Sequence, residues 1–379
     1  MPFGNAHAES NDLEYAGWIP YWADKAGADD ARDHIRDLDT VYPFAYEVAY
    51  NGTLLEKVNL HDRHWDKLIE SANDHYVEVI PTVMWNDGAA IDAVLQNKDA
   101  RAYHIDAIVD MVDRNDFDGV NIDYESKLAK TKDAFSTFLK ELSHELDGKT
   151  LTCTVEARTP PTSLYREVPA TLEYANDYDA IAKYCDRVEI MAYDQQRADI
   201  LLNDEKSGEP YIPVADPDWV EKVITLAMKD IPAEKIVLGV PTYGRDWTVT
   251  VAPNWFQSYT SNTSLNPGDA EDIADEYDVE PGRNKAGERS FTYFPEDSIF
   301  KVLNALPTPK GTATGNEAAA KALLFANATG MSVPVNVTWY SDAAAIKDKV
   351  DLAKHYGLAG VALFKIDGEE DDDLWDLLD

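Results

Sequence analysis

Apolar, β-branched runs recur along the chain, and the stretches between them carry helical period. Runs near residues 15–20, 41–46, 77–84, 119–124, 151–155, 188–193, 236–241 and 360–364 read as eight strands. They are rich in Val and Ile and do not strictly alternate, which suits strands covered on both faces, as in a parallel sheet. Ile105, Ile108, Val109 and Val112 are spaced to lay one apolar stripe along a helix, and Phe135, Phe138, Leu139, Leu142 and Leu146 do the same for a second that Gly148 stops. Asp216-Pro217 opens another helix with a capping side chain and a pre-set φ, and Val220, Val223, Ile224 and Ala227 share its face. Ile346, Val350 and Ala353 mark the last long helix, closed by Gly357.

Eight strands alternating with helices predict an α/β fold of the (β/α)8 TIM-barrel type. One gap breaks the rhythm. Residues 248–337, about 90 in number, are too many for a bare loop and predict an α+β subdomain inserted between the seventh strand and the last helix, on the face where such barrels place their active sites. Within it, 317–326 reads as a short helix and 307–315 as a Pro/Gly-rich turn region. The polar opening 1–12 is expected to be a disordered tail, with 13–379 forming the barrel.

Composition narrows the function classes. Of 379 residues 45% are apolar, enough for a large core, and 34 basic against 70 acidic side chains give a net charge of −36. That charge repels phosphate backbones and anionic membranes, so no nucleic acid partner is expected; solubility in salty or extracellular water is the plain reading of so much acid. No apolar run approaches the roughly 18 residues a membrane span needs, so no membrane insertion is expected. The two cysteines, Cys153 and Cys185, are too few for a disulfide framework and are expected as free buried thiols. The histidines show no HExxH pattern, His144-Glu145 lacking the second His, and there is no GxGxxG or Walker pattern, so neither metal nor nucleotide cofactor is implied. The acidic run 369–373 lacks EF-hand spacing and reads as a solvated tail. The Asn-x-Ser/Thr triplets at Asn51, Asn262, Asn327 and Asn336 matter only for a chain that a eukaryote secretes.

The chemistry concentrates in one strand. Because alternate side chains of a strand share a face, Asn121, Asp123 and Glu125 point together into the barrel while Val120, Ile122 and Tyr124 face the helices. Two carboxylates so close raise each other's pKa, which stability alone would not favour. Asp118 is out of this two-residue phase and joins the cluster only through a bulge or turn at Gly119.

Asp118 to Glu125 resembles the DxxDxDxE signature of family 18 glycoside hydrolases, the chitinase family. Met191-Ala192-Tyr193-Asp194 resembles the family's sixth-strand motif, and the seven residues from Gly239 to Arg245 its seventh. Trp339-Tyr340-Ser341-Asp342 resembles the lead into its last helix and 357–364 its eighth strand. The resemblance implies a retaining hydrolase of β-1,4-linked N-acetylglucosamine glycans. Glu125 would be the general acid, the substrate's 2-acetamido oxygen the nucleophile, and Asp123 and Tyr193 the partners of that acetamido group, with Asn121 and Asp118 completing the motif. An optimum somewhat below neutral pH follows if Asp123 raises the pKa of Glu125. Asn121 stands where many members carry an aspartate, a form similar to the branch of spore-cortex-lytic N-acetylglucosaminidases and chitobiase. Phe364 stands where most place a tryptophan beneath the scissile sugar.

Strand ends at the catalytic face nominate Trp22, Tyr46, Trp85, Met191, Asp194, Tyr243, Arg245 and Phe364 as substrate-binding residues, with Trp247 beside them. The expected partner is a polysaccharide or oligosaccharide containing N-acetylglucosamine, met by a secreted or cell-surface monomer. Peptidoglycan is the alternative substrate. A sugar-binding lectin is the alternative class, against which the presence of Glu125 argues.

Overall fold

In the computed structural model, which describes residues 13–378, the Val- and Ile-rich runs form the walls of a parallel barrel. Strand β1 is Glu14–Pro20, β2 is Thr40–Phe44 resuming after Ala45 as Tyr46–Val48, and β3 is Glu78–Val79 resuming as Thr82–Trp85. Then come β4 (Gly119–Tyr124), β5 (Thr150–Glu156), β6 (Arg187–Met191) and β7 (Ile236–Pro241). The insertion supplies β8 (Gly244–Ala252), β9 (Trp255–Leu265), β10 (Arg289–Tyr293) and β11 (Val333–Tyr340), and β12 (Gly360–Phe364) completes the barrel.

Hydrogen-bonded register shows that the ring closes. β1 lies between β12 and β2, and β12 pairs with β7, after which β6, β5, β4 and β3 follow in turn. The first halves of β2 and β3 pair with each other, and so do their second halves. The sequence predicts one unbroken third strand over 77–84, but Pro81 has no N–H to give the ladder and splits it. A larger apolar core fills the space between strands and helices; inside the barrel Ala16, Trp18, Tyr42, Ile80, Val237 and Ala362 form a smaller plug.

The helices follow the predicted stripes. Lys98–Asn115 buries Ile105, Ile108 and Val112, and Lys132–Glu145 buries Phe135, Phe138, Leu139 and Leu142. Asp216 caps Pro217–Ala227 by accepting the N–H of Asp218, and Gly357 ends Ala343–Tyr356 with a positive φ.

The insertion is an antiparallel five-stranded sheet ordered β9, β8, β11, β10 and the short strand Gly282–Arg283. Its strands extend beyond the expected 248–337 at both ends, because β8 starts at Gly244 directly after β7 and β11 runs to Tyr340. The expected helix 317–326 continues to Thr329 and lays Ala318, Ala319, Ala322 and Ala326 on the sheet. A second helix, Pro267–Glu276, is mostly acidic and small, so it has too little apolar period to be seen in the sequence.

Two expectations are corrected here, and a third falls outside the structure. Cys153 and Cys185 form a disulfide, with Cα atoms 6.0 Å apart. Cys153 faces outward from β5, and Cys185 ends the helix Tyr178–Tyr184 that packs behind it and leads into the neighbouring β6, so the fold brings together two residues whose number alone says nothing about proximity. The run 369–373 is not simply a solvated tail: Glu370 is buried and its Oε2 accepts the N–H groups of Asp367, Gly368 and Glu369 at 3.2, 3.0 and 3.1 Å. The expected tail 1–12 lies outside the described residues.

Candidate active site

β4 carries the central side chains into the barrel. Its Gly119 is required for packing, since a Cβ there would stand 2.0 Å from the carbonyl oxygen of Thr150 on β5. Asn121 is aligned with Thr82 and Thr152, and Asp123 with Met84 and Thr154. Asn121 Nδ2 has three acceptors in reach of its two N–H bonds, Thr152 Oγ1 at 2.7 Å, Thr154 Oγ1 at 3.0 Å and Glu189 Oε2 at 3.3 Å, while its Oδ1 accepts from Thr82 Oγ1 at 3.1 Å. It is therefore a fully bonded floor beneath Asp123. Asp123 differs: it is 4% exposed, and its Oδ1 has no hydrogen-bond donor. Burial, and then the charge of Glu125, push its pKa well above the carboxylate range.

Glu125 lies one residue past the end of β4, where its N–H donates to the carbonyl of Trp85 at 2.8 Å. Burial is the main cause that raises its pKa; Glu156 and Asp194 add to it and the Lys127 ammonium opposes. Two adjacent carboxyls that both resist ionisation retain a proton between them above the usual carboxylate range. That is the condition a general acid needs.

Tyr193 stands over this pair. Its ring stacks on Phe364 at 5.1 Å and meets Tyr243 edge-on at 6.3 Å. Gly239 on β7 makes room for it, because a Cβ there would be 3.1 Å from the Tyr193 ring. Burial holds its hydroxyl well above the usual phenol range, so it stays a donor. Asp194, at a positive φ of 54°, grips Arg245 bidentately, Nε to Oδ1 at 2.6 Å and Nη2 to Oδ2 at 2.8 Å. Trp22 is 54% exposed and lines, with Tyr243, Arg245, Phe364 and the insertion's Leu265 and Asn266, a cavity of about 570 Å³. Met191 is aligned with Gly239 and Glu156 at the ends of their strands.

Four nominated residues lie elsewhere. Asp118 precedes β4 and caps the opposite end of the barrel, its Oδ2 accepting the Val79 N–H at 2.8 Å; the seven residues to Glu125 span roughly 23 Å of extended chain. No bulge at Gly119 brings it to the cluster. Asp118→Ala is expected to lower stability by about 1–3 kcal/mol by orphaning that N–H, with kcat retained; denaturant melts beside turnover assays check this. Tyr46 is turned outward because the strand is interrupted at Ala45, so Phe44 faces the plug and Tyr46 joins the outer core. Trp85 follows the outward phase of Tyr124 and packs on it and on His104, each at 5.4 Å. Trp247 is buried within the outer core beside β11.

Sequence reading missed Glu189, Tyr42, Glu156 and Lys127. Glu189 is fully buried and accepts from Tyr42 Oη at 2.9 Å; burial raises its pKa to about 7. A charged residue in the middle of an apolar strand, in phase with Met191, was the available signal. Since the folded state binds its proton more tightly than the unfolded chain, this group lowers stability as pH rises from about 4.5 to 7, by about 3 kcal/mol. Glu189→Gln is expected to flatten that slope, as seen in unfolding free energies compared at pH 5 and pH 8.

Among the described residues no group of three or more His, Cys, Asp or Glu is placed to hold a metal, and no helix is long and apolar enough to cross a membrane. The model of glycosyl hydrolases family 18 matches residues 42–369. The putative sporulation-specific glycosylase YdhD of Bacillus subtilis is 30% identical over 226 residues, covering 58% of this chain and 49% of YdhD, so the chain spans about half that relative's length. The solved spore cortex-lytic enzyme SleL of Bacillus cereus shares the fold with a TM-score of 0.69 at 21% identity, over 97% of this chain and 73% of SleL. A class V chitinase from Pseudomonas fluorescens Pf-5 does so with a TM-score of 0.71 at 22% identity, over 97% and 98%. With a closed (β/α)8 barrel and a family match from β2 to the loop beyond β12, the chain belongs to the family 18 glycosyl hydrolases.

Proposed function

We propose that this chain hydrolyses β-1,4-linked N-acetylglucosamine chains with retention of configuration, using the substrate's own acetamido group. The observation that carries the reading is the orphaned Oδ1 of Asp123: a buried carboxylate oxygen, beside a carboxyl whose pKa is raised, with no donor from the protein. An acetamido N–H is a donor of the right kind, and a buried acceptor left unmade is costly. Glu125 gives its proton to the glycosidic oxygen as the C1–O bond breaks, and the acetamido oxygen closes on C1. Asp123, ionised once the N–H docks, stabilises the positive oxazolinium, and the Tyr193 hydroxyl donates to the acetamido oxygen before it attacks. Water, deprotonated by the now ionised Glu125, then opens the ring. These contacts strengthen as charge develops, which is where they accelerate the step.

Chitin-type chains fit better than peptidoglycan. The cavity beside Trp22 is lined by Asp194, Asp269, Asp367 and Glu369 against Arg245 and Lys365, and the chain carries a net charge of −36, so glycans bearing carboxylates are disfavoured. The deciding experiment offers GlcNAc oligomers, their fully de-N-acetylated counterparts and peptidoglycan side by side, with product masses and the first-formed anomer read by NMR. Expected are cleavage of the acetylated oligomer alone, a β product, and activity that declines above neutral pH. Cleavage of the de-acetylated chain at an equal rate would overturn the acetamido mechanism.

A further inference from the structure

The turn that carries Glu125 is built unlike an ordinary strand-to-helix loop. Ser126, directly after the acid, has a positive φ of 54°. Its N–H is held by Glu156 Oε1 at 3.1 Å, from the end of the adjacent β5. The other oxygen of Glu156 accepts from Asn176 Nδ2 at 2.7 Å, and Asn176 is itself fixed by Arg158, whose Nη2 donates to the Asn176 backbone carbonyl at 2.8 Å and whose guanidinium lies 3.9 Å from the ring centre of Tyr174 and 4.2 Å from that of Tyr178. Lys127 folds back under the turn. Its side chain is fully buried, its ammonium donates to the Tyr124 carbonyl, lies 4.8 Å from the Phe135 ring centre, and stands 3.8 Å from Glu156 Oε2.

We propose that Lys127 and Glu156 are positioning residues for Glu125: an ammonium–carboxylate pair that fixes the turn bearing the acid and sets the net charge the acid faces. This rests on the assignment of Glu125 as the acid. A non-Gly residue at positive φ is held there only by its surroundings, and the Glu156–Ser126 bond supplies that hold. A buried lysine is costly unless its charge is compensated. Here it is met by the Tyr124 carbonyl at the end of β4, the Phe135 ring face from the following helix and the Glu156 carboxylate from β5. The charged and titratable groups facing Glu125 are Asp123 from β4, Lys127 from the turn, Glu156 from β5, and Tyr193 and Asp194 from the loop after β6, the last bound to Arg245. Lys127 and Glu156 act on Glu125 with opposite sign, the cation favouring its ionised form and the anion its protonated form. A purely structural salt bridge would not produce opposite effects on removal of its two ends.

The test uses kcat/KM against pH on a GlcNAc oligomer, with melting temperature recorded for each variant. Glu156→Gln keeps the acceptor for the Ser126 N–H but removes the anion, and leaves Lys127 uncompensated; the alkaline limb is expected to move down by about 0.5–1 pH unit. Lys127→Met is expected to move it up by a similar amount, and Lys127→Arg to restore it. Glu156→Ala, which also releases Ser126, is expected to cut kcat about tenfold or more at the optimum with KM changed less than about threefold. Should Lys127→Met fail to fold, the downward shift in Glu156→Gln and the kcat loss in Glu156→Ala decide alone. Limbs that stay in place, or that move in the same direction for both charge removals, overturn the proposal. Loss of turnover in Glu125→Gln, together with unmoved limbs in the Lys127 and Glu156 variants, would sink this inference and leave the acid assignment standing, whereas a wild-type enzyme inert on all N-acetylglucosamine glycans would sink the assignment itself.

Discussion

Glu125→Gln is expected to lower kcat on a GlcNAc oligomer by about 10²–10⁴-fold, the usual worth of a placed general acid, with oligosaccharide affinity changed little. Glutamine keeps the shape and the backbone bond to Trp85 but cannot deliver a proton to the departing oxygen. The loss should be smaller for an aryl glycoside whose leaving group needs no protonation. Single-turnover rates on both substrates, with binding measured calorimetrically, check this. Equal losses on both would point to a structural defect, and a variant with wild-type rate on the oligomer would refute the role.

Asp123→Asn is expected to separate activity from stability. Turnover should fall by about 10²–10³-fold, as when one preorganised electrostatic partner of a transition state is removed. Stability should hold or rise, because Asn cannot carry the negative charge that burial and the neighbouring Glu125 disfavour at Asp123. Since folding raises the pKa of Asp123, its ionisation weighs against the folded state, so the advantage of Asn should widen as pH rises through neutral. Melting curves at pH 5 and pH 8 beside kcat measure both halves. A variant that melts well below the wild type, with activity lost in proportion, would contradict the reading of Asp123 as a group held under strain for chemistry.

Much of the site was legible in the strand periodicity. The two-residue phase put Asn121, Asp123 and Glu125 on the inner face and Val120, Ile122 and Tyr124 on the outer, and the side chains point that way. The same rule failed wherever its premise of an unbroken strand failed. Counting in twos from Tyr42 through Phe44 puts Tyr46 inside; the interruption at Ala45 turns it out. Trp85 was nominated for its place at a strand end, but its register beside Tyr124 turns it outward. Asp118 was nominated by its place in a motif, although its phase disagreed, and the phase proved the better guide.

What the sequence determined by itself is what depends on local period and residue type: the alternation of strands and helices, the inserted segment, and an inner row ending in Glu125. Tertiary structure alone decided which residues from distant segments meet. Glu189, Glu156 and Tyr42 lie on three other strands, and only barrel closure brings Tyr42 to Glu189 and Glu189 to Asn121. Cys153 and Cys185 pair because a helix docks behind β5. The raised pKa of Glu125 arises chiefly from burial, which no local pattern encodes, because desolvation depends on everything packed around the carboxyl.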